Sequence, residues 1–202
     1  MNKIAIIIPS RLKAKRLENK PLKLINNKEM ILHVYEAALK SHSGEVYVAT
    51  PDEEIIKVVK KSGGNAIKTS DNHSTGTDRI FEVFKNVLKN KPDLIINLQG
   101  DMPNIQPKAI TNLVDFMKKK KCDIGTLASK INSNSEIENS NVVKVAVDGV
   151  FSENIFLKAV DFFRINPNVK LNVYHHVGIY AFTNEALIRY VKLERSDLEL
   201  ER

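Results

Sequence analysis

Cysteine is nearly absent from this sequence. Cys122 stands alone among 202 residues. One thiol cannot close an internal disulfide, and it cannot supply the thiolates of a structural zinc site. A reducing compartment suits such a chain. Long apolar runs are missing as well. The longest near the start, Ile4–Pro9, is far short of a bilayer span and lacks the flanks of a secretory signal. The expected location is therefore the cytoplasm, with no membrane partner. Aromatic residues are sparse at 6% and do not interleave with the basic residues, so a stacking platform for nucleic acid is unsupported. Neither Gly-x-x-x-x-Gly-Lys-Ser/Thr nor Gly-x-Gly-x-x-Gly occurs, which excludes a P-loop and a dinucleotide fingerprint.

What is present is an ordinary globular balance of 43% hydrophobic and 27% charged residues, in a chain able to bury roughly 70% of its unfolded surface. The net charge of +7 points to an anionic partner. One basic cluster comprises Lys13, Lys15, Arg16, Lys20 and Lys23; the other, Lys118–Lys121, reads as a solvated helix C-terminus.

Strand-like and helix-like segments alternate. Lys3–Ile8, Glu45–Ala49, Asn65–Thr69, Asp93–Leu98, Asp123–Ala128, Val142–Val147 and Val177–Phe182 read as strands. Lys28–Lys40, a segment opened by Thr50-Pro51-Asp52 and stopped at Gly63-Gly64, Thr77–Leu88, Pro107–Lys119 and Asn184–Val191 read as helices. Ile131–Asn141 reads as a polar surface loop. Neither a repeat nor a low-complexity linker divides the chain. The alternation predicts an α/β fold with a largely parallel sheet, as one domain over residues 1–202.

In such sheets ligands sit beyond the strand C-ends. After the first strand comes a cationic loop containing Arg11 and Lys20, suited to phosphate or else simply solvated. Gln99-Gly100-Asp101 follows the fourth strand, where Asp101 is either a Mg²⁺ ligand beside phosphates or part of an Asx turn. His73–Arg79 offers a nest of backbone donors or a plain N-cap, with Thr75 or Thr77 as the capping residue. Arg79, placed against the helix dipole, hints at another task.

Five segments then resemble sugar-activating cytidylyltransferases. The first loop resembles I-I-P-A-R-L-x-S-x-R-L-P-G-K-P-L, and Val48–Glu53 resembles V-A-T-D-D-E. Residues 71–79 are similar to D-H-x-S-G-T-D-R, Asn97–Pro103 to N-V-Q-G-D-E-P, and His176–Tyr180 to H-x-G-I-Y. Together, in the same order along the chain, they resemble the branch that activates 3-deoxy-manno-octulosonate (Kdo) for lipopolysaccharide, with the sialic-acid branch a related but poorer match. The resemblance implies a three-layer α/β/α nucleotidyltransferase fold of the GT-A-like, nucleotide-diphospho-sugar transferase type. It implies transfer of CMP from CTP to Kdo or a related 2-keto-3-deoxy sugar acid, with Mg²⁺ as cofactor and a homodimeric assembly. Arg11, Lys20 and Asp101 are the implied catalytic residues, Asp101 as the metal ligand. Arg11, Lys20, Thr50, Thr69, Ser70, Thr75, Gly76, Arg79 and Gln99 are implied to bind nucleotide, and Gln99, His176 and Tyr180 the sugar. His176 also has a plain reading as a hydrogen-bonded core residue, and Cys122 as a small buried hydrophobe.

The sequence departs from the pattern at Ala14, Glu18-Asn19 and Met102, and through Gly149–Tyr174, a region that holds Lys158 and Arg164. The family continues beyond the equivalent of Arg202, so the resemblance implies an incomplete chain lacking a Glu-Gln pair for sugar and a second metal aspartate. A degenerate nucleotide-binding protein and a basic RNA-binding domain are the alternatives from other classes.

Overall fold

Ile4–Pro9 are all buried and form strand β1, which pairs in parallel with β4 (Glu45–Thr50) on one side and β6 (Leu94–Leu98) on the other. Strands buried on both faces read as unbroken apolar runs, because helices cover both sides of the sheet. The computed structural model describes residues 3–13, 17–88, 91–120, 122–150, 155–165 and 171–196. Lys15, Arg16 and Lys121 of the basic clusters, Ala14, and the terminal 197–202 lie outside the described residues.

The chain forms two compact units, Met1–Gly125 with Tyr180–Arg202, and Thr126–Ile179. In the first, the strand order is β5 (Ala66–Lys68), β4, β1, β6 and then β10 (Asn172–Thr183), whose last residues belong to this unit. On one face, Ile80, Val83 and Phe84 of α3 (Gly76–Asn86) pack with Ala5, Ile7, Ile95 and Phe182. Leu187 of α6 (Asn184–Tyr190) joins that cluster. Side chains alternate along a strand, so Ile6 and Ile8 point to the opposite face. There α1 (Met30–Lys40) packs beside α4 (Pro107–Lys119) and against β4. The helix α2 (Glu53–Lys61) packs against β4 and β5. The result is the expected α/β layering around a mainly parallel sheet.

Several local readings are corrected. Lys28 and Glu29 are not helical; they form β3, which pairs antiparallel with β2 (Leu24–Ile25). Asn26 and Asn27 take φ of 48° and 61°, the two left-handed positions of a tight hairpin, which asparagine tolerates. Thr50 does not cap α2: it ends β4, and Asp52 is the N-cap residue. The Asp52 carboxylate instead accepts from Leu12 N at 2.8 Å, tying down the loop after β1. Thr75, not Thr77, caps α3. The polar stretch Ile131–Asn141 contains a short helix, α5 (Asn134–Glu138), because Ser133 caps it by accepting from Glu136 N. The final strand is twelve residues long rather than six.

The second unit is antiparallel. Here β8 (Lys144–Val147) lies between β10 and β9 (Ala159–Phe163), a strand the apolar pattern did not reveal. β10 also pairs with β7 (Ile124–Ser129). Lys144 is fully buried, and its ammonium donates to Asn139 O and Arg164 O at 2.7 and 2.5 Å. Burial pushes its pKa down.

His176 is also buried, with its ring edge-on to Phe162 at 4.9 Å. Its Nε2 lies 3.0 Å from Thr126 Oγ1, and that hydroxyl donates to Ile179 O at 2.7 Å. The hydroxyl proton is thereby used, so the imidazole Nε2 carries the proton that it shares with Thr126. Burial, with a smaller push from His175, lowers the His176 pKa from 6.5 to about 4. An unfolded chain takes up this proton as pH falls through 6.5, whereas the folded one does not until about 4. The contribution of His176 to stability is therefore complete above pH 6.5 and is lost progressively down to pH 4. It amounts to about 3 kcal/mol at most. Thermal unfolding followed from pH 7.5 to 4 should show this loss, and His176→Gln should flatten that part of the profile.

Candidate active site

A cleft of about 310 Å³ opens at the C-terminal ends of β1 and β6, and every residue lining it belongs to the first unit. Four chain segments meet there, together with Met30. Pro9, Ser10 and Arg11 come from the end of β1. Lys20 and Pro21 come from a 3-10 turn at Lys20–Leu22, and Gln99, Gly100 and Asp101 from the end of β6. His73, Ser74, Thr75, Gly76 and Arg79 close it from the N-terminus of α3.

Backbone geometry brings these segments together. A Cβ placed on Gly100 would come within 2.9 Å of Pro9 O, so only glycine permits the approach of β6's end to β1's. The loop after β1 is fixed at Ser10 N to Ala49 O (2.9 Å) and at Leu12 N to Asp52. It returns through Asn19, left-handed at φ 54°, whose N–H donates to Leu12 O at 3.2 Å. This closure delivers Lys20, whose Nζ lies 2.8 Å from Asp101 Oδ2. Both side chains remain substantially exposed, so the pair is an exchangeable contact rather than a structural anchor.

The opposite wall is pinned by a reciprocal cap. Thr75 Oγ1 accepts from Asp78 N at 3.1 Å, and the Asp78 carboxylate accepts from Thr75 N at 3.0 Å. Arg79 is almost completely buried. Its Nη1 donates to Thr69 Oγ1 at 2.5 Å and to Ser70 O at 2.8 Å. Burial, and next the charge of Arg11, lowers the Arg79 pKa. Glu82 accepts from Ser70 N at 2.9 Å and from His73 Nε2. Burial pushes its pKa up, but the bonds from His73 and Ser70 and nearby charge outweigh it, and the net shift is downward. Gln99 Nε2 donates to Asn97 Oδ1 at 2.8 Å, and buried Asn97 donates to Thr77 Oγ1 at 3.3 Å, which fixes the Gln99 amide at the cleft floor.

Of the residues singled out from the sequence, Arg11, Lys20, Thr75, Gly76, Arg79, Gln99 and Asp101 converge on this cleft. Thr69 and Ser70 stand one step behind it, holding Arg79. Thr50 is fully buried at the end of β4, its hydroxyl accepting from Asp52 N at 3.2 Å. Tyr180 packs against the α3 face of the core beside Phe182, where burial raises its pKa. His176 belongs to the second unit. The sequence reading passed over Ser10, His73, Asn97 and Glu82. His73 and Asn97 lay inside recognised segments, but nothing in one dimension marked Glu82 as the partner of His73 and Ser70.

This arrangement carries three cations (Arg11, Lys20 and Arg79), a carboxylate and a helix N-terminus around one opening, groups suited to holding a polyphosphate, with Asp101 as the carboxylate that could hold a metal ion beside it. Among the described residues no cluster of three or more His, Cys, Asp or Glu could hold a metal unaided. No helix among them is long and apolar enough to cross a membrane.

Comparison with known proteins agrees with that chemistry. The cytidylyltransferase family matches residues 5–202. A 3-deoxy-manno-octulosonate cytidylyltransferase of Rickettsia bellii (strain OSU 85-389) is 40% identical over 198 residues, covering 97% of this chain and 78% of that protein. One from Brucella ovis is 40% identical over 199 residues, covering 98% and 79%. A solved CMP:2-keto-3-deoxy-manno-octonic acid synthetase complexed with CTP superimposes with a TM-score of 0.86 at 37% identity, covering 98% of this chain and 81% of that one. An Anaerococcus prevotii 4-diphosphocytidyl-2C-methyl-D-erythritol synthase shares the fold at a TM-score of 0.61 and 15% identity, covering 97% and 80%. This chain belongs to the cytidylyltransferase family, among the relatives of its 3-deoxy-manno-octulosonate cytidylyltransferases.

Proposed function

We propose that this protein transfers CMP from CTP to the anomeric hydroxyl of Kdo, releasing pyrophosphate and supplying CMP-Kdo for lipopolysaccharide assembly. The observation that carries the reading is the convergence of Arg11, Lys20, Gln99 and Asp101 with the N-terminus of α3 in one cleft, in a chain so similar to a CTP-bound synthetase. The sugar hydroxyl oxygen attacks the α-phosphorus, the bond to the β-phosphate oxygen breaks, and the hydroxyl proton passes to solvent. Such a site works by alignment and by neutralising charge. Arg11 and Lys20 bind the triphosphate and stabilise charge on the departing pyrophosphate. Thr75, Gly76 and Arg79 form the cytidine end. Gln99 faces the sugar acid, and His176 and Tyr180 enter that role on the resemblance alone. The expected location is the cytoplasm.

Asp101 suits a Mg²⁺ ligand: its carboxylate is half-exposed in the cleft beside the cations that would hold phosphates. Mg²⁺ takes one or two protein carboxylates and completes its shell with phosphate oxygens and water, which matches a single aspartate here. When bound, it would neutralise the α-phosphate and polarise the sugar hydroxyl. Asp101 would hold the metal in place of Lys20, whose ammonium would then be available to a phosphate.

A homodimer is proposed as well. In the second unit, Val150, Ile155, Val160 and Ile165 are exposed at 73, 44, 53 and 76%, and β9, which holds Val160, is an edge strand among the described residues. Exposed apolar side chains on and around this strand suit burial against a second copy.

Pyrophosphate release with CTP, Mg²⁺ and a panel of 2-keto sugar acids tests the assignment; release with none of them refutes it. Lys20→Ala and Arg11→Ala should each reduce kcat/KM by an amount equivalent to about 2–4 kcal/mol while leaving the melting temperature close to wild type. Near-normal turnover in either variant removes that residue from the mechanism. Activity should require a divalent cation and vanish in Asp101→Asn; full turnover in excess chelator contradicts the metal assignment. Light scattering should give two chains per particle, and Val160→Lys should shift it toward one.

A further inference from the structure

Among the described residues, one buried side-chain polar atom has no hydrogen-bond partner, and it is Ser10 Oγ. Ser10 is 8% exposed and lines the cleft. The other buried hydroxyls are all bonded: Ser41 to Ala38 O, Thr50 to Asp52 N and Thr69 to Arg79. An unpaired hydroxyl out of water is destabilising, so its retention calls for an explanation. The fold offers none. The Ser10 main chain is already anchored by its N–H to Ala49 O at 2.9 Å. The family signature that this loop resembles has alanine at this place, so the backbone path needs no hydroxyl.

Position suggests what the hydroxyl is for. Ser10 immediately precedes Arg11, and its Cβ lies 3.4 Å from where a Cβ on Gly100 would stand. Gly100 leads directly to Asp101, which meets Lys20. Ser10 thus sits next to Arg11 and against the Gly100-Asp101 turn, beside the cations Arg11 and Lys20 of the cleft. Cations there draw an anion, and a hydroxyl next to them serves as a donor to an anionic oxygen. Serine has three staggered χ1 positions, so the hydroxyl of this cleft-lining residue is reoriented by turning a single bond.

We propose that Ser10 is a further substrate-binding residue whose hydroxyl donates a hydrogen bond to a phosphate oxygen of the bound nucleotide. The proposal rests on the reading of this cleft as the nucleotide site. It has an uncommon signature, because stability and binding should respond differently. Ser10→Ala removes an unpaired group and leaves a smaller side chain, so its melting temperature should equal or exceed that of wild type. Its affinity for CTP should nevertheless fall about tenfold, the factor expected for a lost hydrogen bond to a charged oxygen. Cytidine, which lacks phosphate, should compete equally well in both proteins. Ser41→Ala serves as the control: it breaks a bonded buried hydroxyl, so it should lower the melting temperature and keep CTP affinity.

The measurement is direct titration with CTP, followed by cytidine competition. Wild-type affinity for CTP in Ser10→Ala overturns the proposal. Equal weakening of CTP and cytidine overturns the phosphate assignment in favour of a nucleoside contact. A wild-type protein that binds no CTP would defeat the nucleotide reading itself, and the Ser10 assignment with it.

Discussion

The close passage of Gly100 beneath Pro9 O is the constraint on which the site depends. Parallel pairing already aligns β1 with β4 and β6, placing Pro9 beside Ala49 and Ile7 beside Asn97. Parallel strands end on the same side, so the segments that follow them gather at one edge of the sheet. Alignment alone leaves a gap between neighbouring loops. The missing side chain at residue 100 closes it, since a Cβ there would stand 2.9 Å from Pro9 O. Ser10, Arg11 and Asp101 all depend on that contact for their placement in one cleft.

Charge is arranged around this geometry with two degrees of freedom. Arg79 is nearly buried and held by a hydroxyl and a carbonyl, both neutral acceptors, with Arg11 pressing on it electrostatically. Its hydrogen-bond acceptors are neutral, while the carboxylates of Asp52, Asp71 and Glu82 act on it through space and offset part of its charge. Lys20 and Asp101, by contrast, neutralise one another in an exposed pair that an arriving anion can compete for. The rigid cation belongs to a helix and the exchangeable one to a loop, which suits a site that must be preorganised and also release its product.

Support for the wall comes from residues that never touch the cleft. Glu82 reaches from the middle of α3 to hold both Ser70 N and His73, while Thr69 and Ser70 orient Arg79. Asp52, from the neighbouring crossover, holds Leu12 N. Glu82 and Asp52 bond backbone N–H groups of the loops, while Thr69 and Ser70 hold a side chain. Such interactions explain why a loop-built site can be precise.

The sequence by itself determined the alternation of strands and helices, the apolar faces of α3 and α4, and the order of the polar segments at strand ends. These are properties of local pattern, because periodicity and punctuation act over a few residues. It also disclosed Arg11, Lys20, Gln99 and Asp101, since each lies just beyond a β-run or in a recognised segment. The hairpin around Asn26-Asn27 was hidden, because left-handed asparagines have no hydrophobic signature. β9 escaped notice because only part of Ala159–Phe163 is buried. Tertiary structure alone decided that Thr50, Thr69 and Ser70 stand behind the cleft, that His176 shares its proton with Thr126, and that Ser10 has a hydroxyl without a partner. Those outcomes depend on which side chains meet across tens of residues. A hydrogen bond is settled by distances of a few tenths of an ångström, and one-dimensional spacing does not encode them.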